Sequence, residues 1–319
     1  MKDQFAREID YLRISVTDRC NLRCTYCMPA EGMQTVPMQE VLTYEEIARA
    51  CRIGAELGIR KVKLTGGEPL VRKGLCDLVG MISEIPGIEE VTLTTNGILL
   101  RQQLGDLMRS GLGAVNISLD TLDPKEFQEI TRFDALEQVL DGITCAWKSG
   151  IRTKINTVLR EGCDWKRILG LAKTYPLDVR FIELMPIGES KGERGISAEE
   201  LLKNLRELYP QMAADPEVHG NGPAEYYRIP SFAGSIGIIH AIHGKFCHDC
   251  NRIRLTATGQ LKPCLCYKTT YDFRQALREG DDEAAREVFR QAIFAKPEAH
   301  CFEKPEEITE AKNMVSIGG

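Results

Sequence analysis

Strand-like segments alternate with helix-like segments along this chain as far as residue 184. The helix-like segments repeat apolar residues at intervals of three and four, and several end at glycine, as helices do. A regular alternation of strands and helices requires parallel strands joined by right-handed crossovers. The chain is therefore expected to be an α/β protein. The predicted strands cover residues 11–16, 61–65, 90–95, 114–120, 153–159 and 178–184.

The predicted strands alternate polar and apolar residues, whereas buried parallel strands usually read as continuous apolar runs. In the first strand Arg13 and Ser15 alternate with apolar residues, and in the fourth Asn116 and Ser118 do. One face can then pack on helices while the other lines a polar space, such as a lumen wide enough for a ligand. Strands at a solvent-exposed edge would show the same alternation, and this alternative stays open. We predict an incomplete (β/α)6 TIM-like barrel.

After residue 186 the alternation gives way to glycine-, proline- and charge-rich sequence. A β-like segment and a predicted hairpin around Thr258 and Gly259 follow, and a charged helical stretch comes near the end. We therefore expect two regions. Residues 1–186 would form the partial barrel, and residues 187–319 would form a β-containing region that closes its lumen.

Charge and hydropathy exclude some classes of function. The 319 residues include 41 Lys and Arg against 46 Asp and Glu, a net charge of −5. This balance argues against nucleic-acid binding through a basic surface, which must neutralise many phosphates. The N-terminus lacks the apolar core of a signal peptide, and no apolar run approaches the roughly 18 residues of a membrane-spanning helix. We expect a soluble, cytoplasmic protein that binds neither nucleic acid nor membrane.

Twelve cysteines are more than an ordinary cytosolic enzyme needs for packing. The cytosol keeps thiols reduced, so a disulfide framework is not expected, and clustered cysteines favour metal ligation. Six of the twelve fall into two tight groups, which we call the first and the second cysteine trio. The first trio is Cys20, Cys24 and Cys27, and the second trio is Cys247, Cys250 and Cys264.

The first trio has the spacing C-x3-C-x2-C and follows the first predicted strand directly. Three thiolates within eight residues can hold three corners of a cubane iron–sulfur cluster, whereas ferredoxin-type ligation uses four cysteines. The fourth iron then has no protein ligand and can take part in chemistry. The open coordination position of a catalytic zinc follows the same logic. A zinc site would need a fourth ligand, and no His or further Cys lies within twenty residues of Cys27.

This spacing, with Tyr26 before the last cysteine, resembles the signature of the radical S-adenosylmethionine enzymes. In that family the open iron chelates the methionine moiety, and an electron from the cluster releases a 5′-deoxyadenosyl radical. Residues 66–69 (GGEP) resemble the motif that contacts the methionine amine. Residues 94–97, Ser118 and Met185 stand at later strand ends, where the active sites of (β/α) barrels gather.

The second trio has the spacing C-x2-C-x13-C and is consistent with a second [4Fe–4S] cluster. With Cys266 it would also supply the four thiolates of a closed structural zinc site, and spacing alone does not decide between the two. The surrounding sequence, FCHDCNRIRLTATGQLKPCL, resembles the C-terminal cluster motif of the GTP 3′,8-cyclase family of molybdenum cofactor biosynthesis. In that family the open iron of the second cluster binds the guanine ring.

The resemblance covers nearly the whole chain, from DQFAREIDYLRISVTDRCNLRCTYCMP near the start to SIGG at the end. It implies that the radical takes the 3′ hydrogen of GTP and that the ribose radical adds to guanine C8. The product would be 3′,8-cyclo-7,8-dihydro-GTP, the first intermediate of molybdopterin biosynthesis. The chain departs from the family at Lys63, where an arginine is common, and at Cys266, which is an additional thiol.

The resemblance also implies roles for individual residues. Catalytic roles fall to Arg13, Arg252 and Arg254 and to Gly318 and Gly319, because the family's double glycine reaches into the barrel. Cations on the polar face outnumber Asp120 and Glu183, the carboxylates that could pair with them, so an anionic ligand is expected. S-adenosylmethionine would be held by Tyr26, Gly67, Ser118 and Met185. GTP would be held by Arg13, Lys63, Thr94, Lys154, Arg252 and Arg254.

The partners that the resemblance implies are GTP, the downstream cyclic pyranopterin monophosphate synthase, and a low-potential electron donor such as flavodoxin or ferredoxin. A homodimer is left open. The alternative enzyme is a radical S-adenosylmethionine peptide maturase with an auxiliary cluster, although such clusters usually have more cysteines. A third hypothesis is a non-catalytic iron–sulfur electron carrier with a structural zinc, which would leave the GGEP motif unexplained.

Overall fold

The computed structural model describes residues 1–244 and 246–318. Its strands are β1 (Tyr11–Ser15), β2 (Lys61–Thr65), β3 (Glu90–Thr95), β4 (Leu112–Ser118), β5 (Arg152–Leu159), β6 (Asp178–Glu183), β7 (Ala213–Ala214), β8 (Glu225–Arg228), β9 (Ile236–Ile239), β10 (Arg252–Leu255), β11 (Gln260–Lys262) and β12 (Tyr271–Asp272). Its α-helices are α1 (Tyr44–Glu56), α2 (Leu75–Ser83), α3 (Leu100–Arg109), α4 (Pro124–Thr131), α5 (Leu136–Lys148), α6 (Trp165–Thr174), α7 (Ala198–Leu208), α8 (Arg274–Glu279), α9 (Asp282–Phe294) and α10 (Met314–Ile317).

All twelve strands belong to one sheet, and eight of them run parallel in the order β10-β1-β2-β3-β4-β5-β6-β9. Antiparallel strands extend it at both ends, β11 and β12 on one side and β8 and β7 on the other. Over the described ranges β12 and β7 do not pair, so the sheet is not closed. The predicted incomplete TIM-like barrel is confirmed, and the region after residue 186 adds one parallel strand at each side.

Local signals explain where the helices begin. Thr43 caps α1 reciprocally: its hydroxyl accepts from the Glu46 backbone N–H at 3.1 Å, and the Glu46 carboxylate accepts from the Thr43 N–H at 2.7 Å. The connection from β4 to β5 holds two helices, α4 and α5, where simple alternation predicts one. Asp123 caps α4 and Pro124 occupies its first position, a pairing typical of helix starts.

The two faces of the parallel strands differ as the alternation predicts. Leu12 and Ile14 are fully buried in the apolar core under the helices. On the other face, Arg13 lies in register with Lys63 of β2 and with Arg254 of β10. Lys63 is only 7 % exposed, so this polar row lines an interior space. Because β1 to β6 each have a neighbour on both sides, the exposed-edge alternative is wrong for them.

Within the described ranges, no helix has both the length and the apolar character needed to cross a membrane. The predicted boundary after residue 186 falls inside the continuous sheet, because β9 pairs with β6. The sheet thus continues across this boundary. The division into residues 1–186 and 187–319 stays a prediction.

Candidate active site

The loop that carries the first trio is fastened to the end of β2. The Gly67 N–H donates to the Thr17 carbonyl at 2.8 Å, and the Glu68 N–H donates to the Arg19 carbonyl at 2.8 Å. A β-carbon on Gly67 would lie 2.4 Å from the Arg19 oxygen, a distance that no side chain tolerates. The glycines of the GGEP motif therefore allow the cysteine loop to lie directly against the carboxyl end of the sheet.

Glu68 joins three neighbouring segments at this end of the barrel. Its buried carboxylate accepts from the Leu70 N–H at 2.9 Å, the Thr95 hydroxyl at 2.7 Å and the Asn96 N–H at 2.6 Å. The Asn96 amide in turn donates to Asn21 in the cysteine loop at 2.7 Å. Burial raises the pKa of Glu68 to about 7, against the opposing effect of these hydrogen bonds. Glu68 thus braces the loop that carries the first trio.

Both trios line one cavity of about 340 Å³. A second cavity of about 90 Å³ adjoins it towards the amino ends of the strands, and Arg13, Thr94 and Arg252 line both. Every predicted metal, cofactor and substrate residue contributes to these walls. The first cavity is lined by Cys20, Cys24, Tyr26, Cys27, Gly67, Ser118, Met185, Cys247, Cys250, Arg254 and Cys264, and the second by Lys63 and Lys154.

The spacing of the sulfurs distinguishes the kinds of metal site. Tetrahedral zinc with Zn–S bonds of about 2.3 Å places its sulfurs about 3.8 Å apart. Across residues 1–244 and 246–318, no three cysteine sulfurs lie within 4.8 Å of one another. The three thiols of each trio instead face a common cavity, an arrangement that suits a cluster of several irons. Three thiols around an open cavity can hold three corners of an iron–sulfur cluster, and the described cysteines do not form the close set of sulfurs that a closed zinc site has.

Cys266 does not join the second trio in the cavity wall. Its sulfur lies 3.1 Å from that of Cys301, and both residues are buried. The Cys301 N–H also donates to the Cys266 sulfur at 3.4 Å. The four-thiolate arrangement that the sequence leaves open is therefore not formed.

The two trios differ in electrostatic environment. Burial raises the pKa of the Cys20 thiol to about 11 and that of Cys27 to about 12. Burial would also raise the pKa of Cys250, but the nearby charges of Arg252 and Lys296 lower it to about 6. The Arg252 guanidinium lies 3.8 Å from the Cys250 sulfur. Since metal ligands must be deprotonated, the second trio offers a thiolate beside a cation at the junction of the two cavities.

Asp120 contacts Tyr26 in the wall of the first cavity and, within the described residues, does not pair with a cation of the interior. The Tyr26 hydroxyl donates to the Asp120 carboxylate at 2.7 Å, and so does the Val158 N–H at 2.9 Å. Glu183 instead accepts from the Ile242 N–H at 2.7 Å. Among the described residues neither carboxylate forms an ion pair with a cation of the barrel interior. The expectation that Asp120 and Glu183 could pair with those cations is wrong, and Asp120 orients Tyr26.

The two cavities are lined by eight lysine and arginine residues, which include Arg152 and Lys296, and we call the other six the cation ring. They are Arg13, Lys63, Lys154, Arg180, Arg252 and Arg254. Arg180 was not among the predicted site residues, although the alternation in β6 places it on the polar face with Asp178 and Ile182. It donates twice to the side-chain oxygen Oδ1 of Asn156, at 2.6 and 2.9 Å. Strand parity applied to the sixth strand would have identified it.

The cation ring is electrostatically strained. Burial lowers the pKa of Arg254 to about 9, that of Arg13 to about 10 and that of Lys154 to about 8. Burial lowers the pKa of Lys63 well below its usual range, and the charges of Arg180, Arg13 and Lys154 add to the effect. In the part of the chain that the structure describes, Lys63 has no ion-pair partner. Buried like charges are costly unless an anion compensates them, so the ring is suited to an anionic ligand.

The C-terminal segment reaches this ring. Val315 and Ile317 are buried, and the Gly318 carbonyl accepts from the Arg254 guanidinium at 3.1 Å. Gly318 has a φ of +72°, and a β-carbon on it would lie 2.9 Å from that of Ser15. Only glycine fits here without strain. Gly319 lies outside the described residues.

Two family models divide the chain between them. Residues 14–174 match the Radical SAM superfamily, and residues 177–302 match the family described as Molybdenum Cofactor Synthesis C. The structure also resembles Streptococcus suis SuiB bound to S-adenosylmethionine, with a TM-score of 0.65 and 15% identity over 97% of this chain and 77% of that one. It resembles anSMEcpe with bound AdoMet with a TM-score of 0.56 and 18% identity, over 89% and 84% of the two chains. At these identities the likeness shows the fold alone.

Full-length relatives are much closer in sequence. The GTP 3′,8-cyclase of Clostridium perfringens (strain SM101 / Type A) is 46% identical over 323 residues, and the match covers 100% of both chains. The GTP 3′,8-cyclase of Alkaliphilus oremlandii (strain OhILAs) is 44% identical over 326 residues, again over 100% of both. With both cysteine trios and the GGEP loop placed around one cavity, this chain belongs to the GTP 3′,8-cyclase family of the radical S-adenosylmethionine superfamily.

Proposed function

We propose that this chain catalyses the cyclisation of GTP to 3′,8-cyclo-7,8-dihydro-GTP, the reaction that begins molybdopterin biosynthesis. One observation carries the proposal: the cavity that holds both cysteine trios adjoins the cation ring. One side can hold a cofactor that generates a radical, the opposite side can hold a base, and the ring can hold phosphates. GTP has the base and the phosphates that such a cavity requires.

The first trio is the proposed site of a [4Fe–4S] cluster, with S-adenosylmethionine bound beside it. When bound, these groups supply a 5′-deoxyadenosyl radical. Tyr26 is held by Asp120 at 2.7 Å and presents its ring to the cofactor. Gly67 has no side chain and leaves space against the cysteine loop, and Ser118 and Met185 complete the walls. These residues orient the cofactor and keep water away from it.

The second trio is the proposed site of a second [4Fe–4S] cluster, which would face the guanine base. Arg252 links this trio to the rest of the cation ring, because it contacts Cys250 and lines both cavities. A nucleotide with its base at the second trio would extend its phosphates towards Lys63 and Lys154. The ribose would then face the first cavity. The residues that hold the base and the phosphates would therefore determine which ribose hydrogen lies closest to the radical.

The alternative function, peptide maturation, is not favoured. A buried ring of cations suits a polyanion, whereas a peptide backbone carries no net charge. The likeness to SuiB concerns the fold, and the relatives that match at full length are GTP 3′,8-cyclases. An electron carrier is not favoured either, because it would not need a 340 Å³ cavity between its metal sites.

We also propose an electron donor and a protein that receives the product. A low-potential donor such as flavodoxin or ferredoxin would supply electrons to the first cluster. The cyclised nucleotide would pass to a cyclic pyranopterin monophosphate synthase. Homodimer formation stays open.

Metal content tests the two-cluster arrangement. We expect the anaerobically reconstituted chain to contain about eight irons, about eight sulfides and no zinc. Cys250→Ser should lower the iron content to about four, because one complete cluster is lost. Cys266→Ser should leave the iron content unchanged, because its thiol lies beside Cys301 and outside the cavity wall. Four irons with one zinc in the unaltered chain would contradict the proposal.

Arg254→Ala should weaken GTP binding and leave S-adenosylmethionine binding nearly unchanged. A lost charge-assisted contact with a phosphate in a desolvated site costs on the order of 2 kcal/mol, or roughly thirtyfold in Kd. Anaerobic calorimetry with each ligand measures both affinities. Arg109→Ala, at an exposed position on α3, is the matched control. An unchanged GTP affinity in Arg254→Ala would show that the ring does not bind the triphosphate through this residue.

A further inference from the structure

One segment closes the amino end of the barrel below the cation ring. It is residues 219–223, which we call the floor segment, and all five of its residues line the second cavity. At one side His219 contacts Asp178, the first residue of β6, and at the other the Asn221 amide donates to Glu90, the first residue of β3. The floor segment therefore spans the space between two strand starts, on the side of the ring opposite the trios.

His219 is fixed on three sides. Its Nδ1 atom lies 3.0 Å from the Asp178 carboxylate, and its Nε2 atom lies 2.8 Å from that of Asp215. Its ring stacks on that of Tyr226, with 4.0 Å between centroids. The Asp215 carboxylate is itself buried and accepts from the Ser235 hydroxyl at 2.8 Å. An imidazole held in this way fixes the backbone of the floor segment at its first residue.

That backbone in turn contacts a cation of the ring. The Lys154 ammonium donates to the His219 carbonyl and to the Tyr226 hydroxyl, the latter at 3.1 Å. It lies 3.7 Å from Asp178. A β-carbon on Gly220 would lie 3.0 Å from the Lys154 nitrogen, and the φ of +141° at Gly220 also favours glycine. The floor segment thus packs directly on the ammonium group of Lys154.

The position of the floor segment affects how many phosphates of a nucleotide the site can hold. A nucleotide with its base at the second trio extends its phosphates towards this end, and the floor limits how far they reach. We infer that the floor segment, which His219 anchors, positions Lys154 to contact the outermost phosphate of the nucleotide. This contact makes the site selective for a nucleoside triphosphate. The inference rests on the proposed function. His219 is a positioning residue, since it acts through Lys154.

The test compares nucleotides that differ in phosphate number. Holoprotein with both clusters is titrated anaerobically with GTP, GDP and GMP, and its affinity for S-adenosylmethionine is measured in parallel. We expect His219→Ala to raise the Kd for GTP roughly tenfold and to change the Kd for GMP little, because only the outermost contact is lost. The affinity for S-adenosylmethionine should not change. In turnover, KM for GTP should rise more than kcat falls.

A second pair of variants keeps the test decisive if His219→Ala does not fold. Tyr226→Phe keeps the stacked ring and removes only the hydroxyl that Lys154 contacts, so it should reduce the preference for GTP over GMP. Tyr227→Phe is the matched control, because its hydroxyl contacts Glu225. In the Lys154→Ala background, either change at His219 or Tyr226 should add little further loss, as expected for residues that act through one partner.

The outcomes separate this inference from the proposed function. Wild-type holoprotein that does not bind GTP, or binds GTP and GMP equally, would overturn the proposed use of the cation ring. A wild-type preference for GTP that persists in both His219→Ala and Tyr226→Phe would overturn the role of the floor alone. Equal weakening of all three nucleotides and of S-adenosylmethionine would show that the floor has only a structural role.

Discussion

We expect Cys24→Ser to abolish release of 5′-deoxyadenosine, and Cys264→Ser to retain part of this release while preventing GTP cyclisation. The reason is that the two trios belong to different parts of the sheet, one following β1 and the other following β9 and β11. The first is braced by Glu68 and adjoins Tyr26, whereas the second adjoins Arg252. Loss of a thiol from the first should remove cofactor cleavage, and loss from the second should remove only substrate placement.

Anaerobic assays that quantify 5′-deoxyadenosine and cyclised nucleotide in the same reaction measure this separation, with iron content determined for each variant. Cys145→Ser on α5 is the matched control, because this cysteine is absent from the walls of both cavities and should retain both activities. Equal loss of the two activities in Cys264→Ser, with four irons still bound at the first trio, would contradict the proposed division between the clusters.

Deleting Gly318 and Gly319 should leave both clusters and S-adenosylmethionine binding intact and reduce GTP cyclisation severely. The deletion removes the Gly318 carbonyl that accepts from Arg254 at 3.1 Å, while Val315 and Ile317 still anchor the preceding helix in the core. Arg254 would then lose a contact that orients it towards the phosphates. The measurement is turnover of fully reconstituted protein, with iron content and cofactor affinity determined on the same sample.

Two further variants test whether the loss of cyclisation is specific to the C-terminal glycines. Gly318→Ala should also lower cyclisation, because its β-carbon would lie 2.9 Å from that of Ser15 at a φ of +72°. Lys312→Ala, at an exposed position in the same segment, should retain full activity. A peptide that ends in Gly-Gly, added to the deletion variant, should restore part of the turnover. Wild-type turnover in the deletion variant would mean that the last two residues are dispensable.

Sequence reasoning succeeded where a property depends on neighbours along the chain. The period of two in β1 to β6 identified an inward polar face, and the structure places Arg13 and Lys63 there. The cysteine spacings identified the two trios, and the structure places the thiols of both around one cavity. The Asp123-Pro124 start of α4 is a local signal of the same kind, and it was available in the sequence.

Other features required the tertiary structure, because they join residues that are distant in sequence. Cys266 meets Cys301 across 35 positions, and Asp120 meets Tyr26 across 94. Spacing could not show that Cys266 leaves the second trio, or that Asp120 holds a tyrosine rather than a cation. Such pairings depend on how helices and loops close against the sheet.

By itself the sequence determined the α/β class, the inward row of polar side chains and the two cysteine trios, since these follow from periodicity and short spacing. Only the tertiary structure decided that β9 and β10 extend the parallel sheet at its two sides, and that residues 219–223 close its amino end beneath Lys154. The physical reason is that strand pairing and loop closure are selected by packing over the whole core, where many weak contacts act together and no short window of sequence contains them.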